Sequence, residues 1–165
     1  MKMRIFLTAA IAVVSSPALA AGNTDTQQGS ATATIVAPIA LTHTSGAALN
    51  FGKLTAGTGG TVVVTAGGSA SATGDVTLVS GSSPAADAFS VTGDANRTFT
   101  IATTSSTVAS SGGATLNFAT SPSAATGTLN ASGAATFTVG GTLTIPGSAT
   151  AAVYSGTYNA TVTYN

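Results

Sequence analysis

Period two is the feature that most constrains this chain. Apolar and hydroxyl-bearing residues alternate in short runs, and beyond the first twenty residues no run of ten or more carries helical spacing. That period marks strands with one face turned to a core. It is clearest near the end, where Ala152, Tyr154, Tyr158, Ala160, Val162 and Tyr164 hold even positions together with Gly156. Thr157, Asn159, Thr161, Thr163 and Asn165 hold the odd ones, and all three tyrosines of the chain fall in the even set. Near the start, Ala33, Ile35, Ala37, Ile39 and Leu41 share a face. Thr32, Thr34 and Thr42 lie opposite, with Val36 and Ala40 making that side less polar. Pro38 has no amide proton to donate, which places this strand at a sheet edge or interrupts it.

Further strands are expected over residues 49–54, 61–65, 75–79, 88–91 and 98–102, then over 115–119, 127–130, 135–139, 142–145 and 157–164. Between them stand Gly57-Thr58-Gly59-Gly60, Gly67-Gly68, Ser80-Gly81-Ser82-Ser83-Pro84, Ser111-Gly112-Gly113 and Pro146-Gly147, all turn-forming clusters. Thr73-Gly74-Asp75 and Thr92-Gly93-Asp94 repeat one turn chemistry, but their surroundings do not repeat, so no solenoid is expected. Many short β-branched segments joined by turns predict an all-β fold, an immunoglobulin-like β-sandwich.

The first twenty residues are set apart from that fold. Lys2 and Arg4 precede an apolar stretch over residues 5–14, and Pro17-Ala18-Leu19-Ala20 supplies small residues before an expected cleavage ahead of Ala21. This is the pattern of a secretory signal peptide, too short for a membrane span of about twenty residues. The expected organisation is a signal peptide over 1–20, a flexible polar leader over 21–30 and one domain over 31–165. The expected route is export through the inner membrane to the periplasm and then the cell surface, with no membrane insertion once the signal is removed. A chain of this size can bury roughly two thirds of its unfolded surface without staples. The count of zero cysteines removes disulfides and thiolate metal sites together.

Charge excludes whole classes of partner. Past residue 20 the basic side chains are Lys53 and Arg97 and the acidic ones Asp25, Asp75, Asp87 and Asp94. Two isolated cations cannot neutralise a row of phosphates, so nucleic acid is not an expected partner. No basic amphipathic segment suits an anionic membrane surface. So little charge also leaves little electrostatic defence against self-association.

The groups that catalysis needs are scarce. The single histidine, His43, lies among Thr42, Thr44 and Ser45 and reads as a solvated strand-end imidazole, with no nucleophile motif beside it. Asp75, Asp87 and Asp94 read as turn formers; a calcium site built from them would need backbone carbonyls, and no EF-hand spacing is present. Zinc lacks ligands. Gly57-Thr58-Gly59-Gly60 lacks the lysine that completes a phosphate loop and is followed by strand, so it reads as a hairpin turn. No enzyme activity and no cofactor are expected. Thr-x-Thr pairs such as Thr32–Thr34, Thr42–Thr44 and Thr161–Thr163 invite comparison with ice binders, but without a repeat period they read as solvent faces of strands.

Three sequence words carry a family resemblance. They are Leu49-Asn50-Phe51-Gly52, Val139-Gly140-Gly141-Thr142-Leu143, and the stretch from Tyr154 to Tyr164 that begins Tyr-Ser-Gly-Thr-Tyr-Asn. In this order they resemble the secreted fimbrial-type domains of Gram-negative bacteria, more narrowly a pilin-like family related to spore coat protein U and common-pilus fimbrillin. The resemblance covers residues 31–165. It implies an incomplete sandwich that a periplasmic chaperone and an outer-membrane usher assemble into a homopolymer, each subunit completed by a strand donated from the next. By position, Tyr154, Tyr158, Ala160, Val162 and Tyr164 would form the C-terminal strand and its groove. Ala33, Ile35, Ala37, Ile39 and Leu41 would be the donated strand, or else an ordinary first strand of a complete subunit. The leading expectation is a structural subunit of a surface fimbria or coat polymerising by donor-strand exchange. The other is a self-complete secreted β-sandwich that binds carbohydrate or acts as a surface adhesin.

Overall fold

The alternating runs pair into strands, and among the described residues no helix forms. The structure is a computed structural model that describes Gly22 and residues 24–165; the expected signal peptide lies outside the described residues. The strands are β1 (Ala40–His43), β2 (Leu54–Thr55), β3 (Gly59–Val64), β4 (Ala70–Gly74), β5 (Thr77–Leu78), β6 (Asp87–Thr92) and β7 (Thr98–Thr103). They continue with β8 (Ser106–Ser110), β9 (Thr115–Pro122), β10 (Thr126–Thr128), β11 (Ala134–Pro146), β12 (Tyr154–Ser155) and β13 (Ala160–Tyr164). The packed unit runs from Ile35 to Asn165. Residues 24–34 carry no regular structure and their side chains are exposed.

All pairings are antiparallel. One eight-stranded sheet runs β1-β6-β11-β9-β8-β12 and also holds β3 and β4. A three-stranded sheet runs β10-β7-β13, and β2 pairs with β5 as a small ribbon. The result is an all-β, sandwich-like fold. The large sheet forms one layer, and the other layer is divided between the three-stranded sheet and the short ribbon.

β11 is the spine. Residues 134–139 pair with β6, residues 141–146 pair with β3 along the same flank, and residues 139–143 pair with β9 on the opposite flank. Two strands expected over 135–139 and 142–145 are therefore one. Gly140 and Gly141 sit where the partner changes: a Cβ on Gly140 would collide with the backbone of Val64 and Ala66, and one on Gly141 with the Ala119 carbonyl. The Val-Gly-Gly-Thr-Leu word is thus the crossover of the spine, where only glycine lets three strands crowd one point.

Inward positions along β11 feed two core clusters. Phe137 and Val139 join Phe89, Val91, Phe99, Ile101 and Leu129 beneath the three-stranded sheet. Leu143 and Ile145 join Phe51, Val62, Val64, Val76, Leu116 and Phe118 beneath the ribbon. Fully burying such side chains contributes about 1.5–3 kcal/mol each, the main stabilising force in a chain without staples. The Leu-Asn-Phe-Gly word serves the second cluster. Asn50 bridges to Ala85 and its side-chain Oδ1 accepts from the Gly52 amide at 2.8 Å, so the chain turns just after placing Phe51 against Phe118.

The expected segments mostly become strands, with corrections. β4 and β8 were not expected, because Ala70–Gly74 and Ser106–Ser110 carry small residues with too little hydrophobic contrast to show a period. The run expected over 49–54 is strand only from Leu54, with one bridge at Asn50. The final run expected over 157–164 is strand only from Ala160, as β13, and Tyr154 and Ser155 ahead of it form a separate strand, β12. β12 pairs with β8 in the large sheet, β13 pairs with β7 in the small one, and the chain changes layer between them.

Candidate functional site

β13 has a neighbour on one side only. The Asn165 amide donates to the Thr98 carbonyl at 3.2 Å, and the Thr104 amide donates to the Asn159 carbonyl at 3.0 Å. In this register odd-numbered residues exchange hydrogen bonds with β7. The amides and carbonyls of Ala160, Val162 and Tyr164 therefore point the other way, towards a free edge. Their side chains turn inward onto the core yet remain half-buried rather than buried. β1 is likewise paired on one side alone, with β6.

Two tyrosine hydroxyls tie this segment to the rest of the fold, one to β6 and one to the turn after β6 and the chain before β1. Tyr158 donates to Asp87 Oδ2 at 2.8 Å, while Asp87 Oδ1 meets His43 Nε2 at 2.6 Å and accepts from the Ala88 amide at 2.8 Å. Asp87 is only 4% exposed, so its carboxylate is held by these partners in place of water. Burial pushes the Tyr158 phenol up from its ordinary value, and the hydrogen bond to Asp87 and its charge push it further. The Tyr158 ring packs edge-on against Phe89 and Phe118, one from each core cluster. At the other end, the Tyr164 hydroxyl accepts from the Asp94 amide at 2.7 Å and donates to the Ala37 carbonyl at 3.0 Å. Arg97, paired with Asp94 at 2.9 Å, covers the Tyr164 ring at 5.6 Å.

Beyond Tyr158 the second layer opens. A cleft of about 880 Å³ lies between residues 48–56 and residues 149–156. Val108, Leu116, Leu143 and Ile145 form its floor, and Leu49 and Tyr154 stand at its sides. A smaller hollow of about 370 Å³ adjoins it, lined by His43, Asp87, Tyr158 and residues shared with the larger cleft. The two hollows share Leu49, Phe51, Val108 and Gly156. The chain runs on from Tyr158 at the smaller one to β13, so the three follow one another along the C-terminal segment as a seam.

The sequence-derived site residues divide as follows. Tyr154 and Tyr158 line the hollows, whereas Ala160, Val162 and Tyr164 face the core from the free-edged strand. Ala33 and Ala37 are exposed and Ile35 is 98% exposed. Ile39 and Leu41, by contrast, pack against the chain's own core, and Leu41 pairs with Val91 in β1. Of the two readings of 33–41, Ile39 and Leu41 follow that of an ordinary first strand: Leu41 lies in the edge strand β1 and Ile39 packs just before it. Ala33, Ile35 and Ala37 stay exposed.

Several site residues escaped the sequence reading. His43 is not simply solvated and Asp87 is not a turn former; they meet across 44 positions, a pairing that only the β1–β6 register creates. Asp75 bonds the Thr58 hydroxyl and Asp94 bonds Arg97, so the three aspartates have separate partners. The one available signal for Asp87 was its odd-numbered place beside Phe89 and Val91, on an otherwise apolar face.

The family model described as Domain of unknown function (DUF4402) matches residues 39–164, and the chain belongs to that family. No curated protein and no solved structure matches the chain.

Proposed function

We propose that this member of the family is a structural subunit of a surface fimbria or coat, exported through the inner membrane and polymerised by strand exchange at the seam along β13. The observation that carries the reading is the free edge of β13, where three residues offer unpaired backbone groups above half-buried apolar side chains. An exposed edge of this kind is a template for an added strand. The matching donor is the exposed stretch before Pro38, which alternates Ala33, Ile35 and Ala37 with residues of the other face. A periplasmic chaperone and an outer-membrane usher would protect such an edge until a neighbouring subunit fills it, as the resemblance to pilin-like domains implies. The carbohydrate-binding alternative has less support, because Tyr158 and Tyr164 pack against the core in place of displaying their rings.

The test is a deletion of residues 24–36 from the chain lacking its first twenty. That cut stops short of Ile39 and Leu41, so the packed unit is expected to keep its melting temperature. Polymers seen by electron microscopy and light scattering are expected to disappear. Undiminished polymer in the deleted chain would refute strand exchange through this segment.

A further inference from the structure

We propose that Ile35 of a second copy seats in the cleft between residues 48–56 and 149–156, and that a subunit cannot fill this cleft with its own Ile35. The inference rests on the strand-exchange reading and adds the register and the obligatory second copy.

The two most exposed large hydrophobic side chains among the described residues are Ile35, at 98%, and Val153, at 87%. Val153 belongs to the lining of the cleft, whose floor is aliphatic. Each is an apolar surface without a partner, and each would be covered by the other. The donor face reads Ala33, Ile35, Ala37, a single large knob between two small residues. A strand with one knob has one preferred register, because a shift of two residues would set an alanine over the aliphatic floor of the cleft in place of the isoleucine.

Reach decides between a subunit's own tail and its neighbour's. Ala37 is held by the Tyr164 hydroxyl, beside Asp94 just past the end of β6. Tyr158 contacts Asp87, at the start of β6. The strand between those points, Asp87–Thr92, spans about 17 Å at the usual rise. The cleft lies beyond Tyr158, over Leu143 and Ile145 at the far end of the spine. Ile35 stands only two residues before Ala37, so its backbone extends at most about 7 Å from that anchor. The chain's own Ile35 falls short, whereas a neighbour can dock its whole body so that the same short tail reaches the cleft. Contacts of this heterologous kind propagate into open filaments.

Because the chain has no cysteine, a double variant, Ile35→Cys with Val153→Cys, reports the contact directly. On mild oxidation we expect a ladder of disulfide-linked dimers, trimers and longer species. A disulfide-closed monomer would overturn the claim that the contact needs a second copy. A second pair of variants tests the knob. Ile35→Asp and Val153→Glu, both at exposed positions and expected to fold, should each reduce polymer at least tenfold alone, yet form heterodimers when mixed, since one keeps its cleft and the other its tail. If Ile35→Asp polymerises as the parent does and no ladder forms, while deletion of 24–36 still abolishes polymer, strand exchange stands and this register is wrong. If the deletion also leaves polymer intact, the strand-exchange reading itself fails.

Discussion

Asp87 shows how one buried charge organises its surroundings. Its carboxylate accepts from the Tyr158 hydroxyl, His43 and a backbone amide, and so joins β1, β6 and the C-terminal segment. Removing one member of such a group leaves the others unsatisfied, so Asp87→Ala is expected to cost about 2 kcal/mol in urea unfolding. Tyr158 adds a pH dependence of definite sign. Its folded-state value is raised, so the folded protein keeps the phenol proton after the unfolded chain has lost it. This group's contribution is therefore complete below about pH 10 and is lost as pH rises beyond that. Melting temperatures measured through the alkaline range should fall less steeply for Tyr158→Phe than for the parent.

At the scale of elements, glycine decides where strands may crowd. Gly140 lies where β11 exchanges β6 for β3, and any side chain there meets the backbone of Val64 and Ala66. Gly140→Ala is expected to destabilise by about 2–3 kcal/mol, as overpacking of a dense site does. Gly112→Ala, in a turn where a Cβ meets nothing closer than the Ser110 hydroxyl at 3.8 Å, should leave the melting temperature unchanged. The three-stranded sheet has a complementary pattern. Thr98, Thr100, Ala102, Thr126, Thr128, Thr161 and Thr163 are its exposed positions, and Gly127 makes room beneath for the Phe99 ring. Its hydroxyls face water while Phe99 and Ile101 hold the core, and the strand gains stability from one face only.

For the molecule as a whole, scarcity of charge shapes how copies meet. Within the packed unit the charged side chains are Lys53, Asp75, Asp87, Asp94 and Arg97, of which Asp87 is buried and Asp94 is paired with Arg97. The free edge of β13 and the aliphatic floor of the cleft carry none. Along the seam Lys53 stands in the cleft lining, and Asp87, in the smaller hollow, is buried among its partners. Assembly through this seam is apolar and backbone-driven, so its extent should barely change between low and high sodium chloride in light-scattering titrations. A steep loss of polymer with salt would assign assembly to the few exposed charges instead.

The sequence alone determined the class of fold and the inward face of most strands, because side-chain alternation is local and survives in any sheet arrangement. It also picked out the apolar even-numbered face of the last segment, of which Tyr154, Tyr158, Ala160, Val162 and Tyr164 pack on the core, while Gly140-Gly141 entered only as part of a family word. Pairing was beyond it. That residues 134–146 form one strand with three partners, that His43 meets Asp87, and that the run after Tyr154 crosses between layers all depend on contacts distant in the chain. The tail shows the division most clearly. Ala33 to Leu41 alternates evenly in sequence, yet Ile39 and Leu41 are half-buried against the chain's own core and Ile35 is left in water. Periodicity says which face of a strand is apolar; only the packed molecule says how much of that face finds a core of its own.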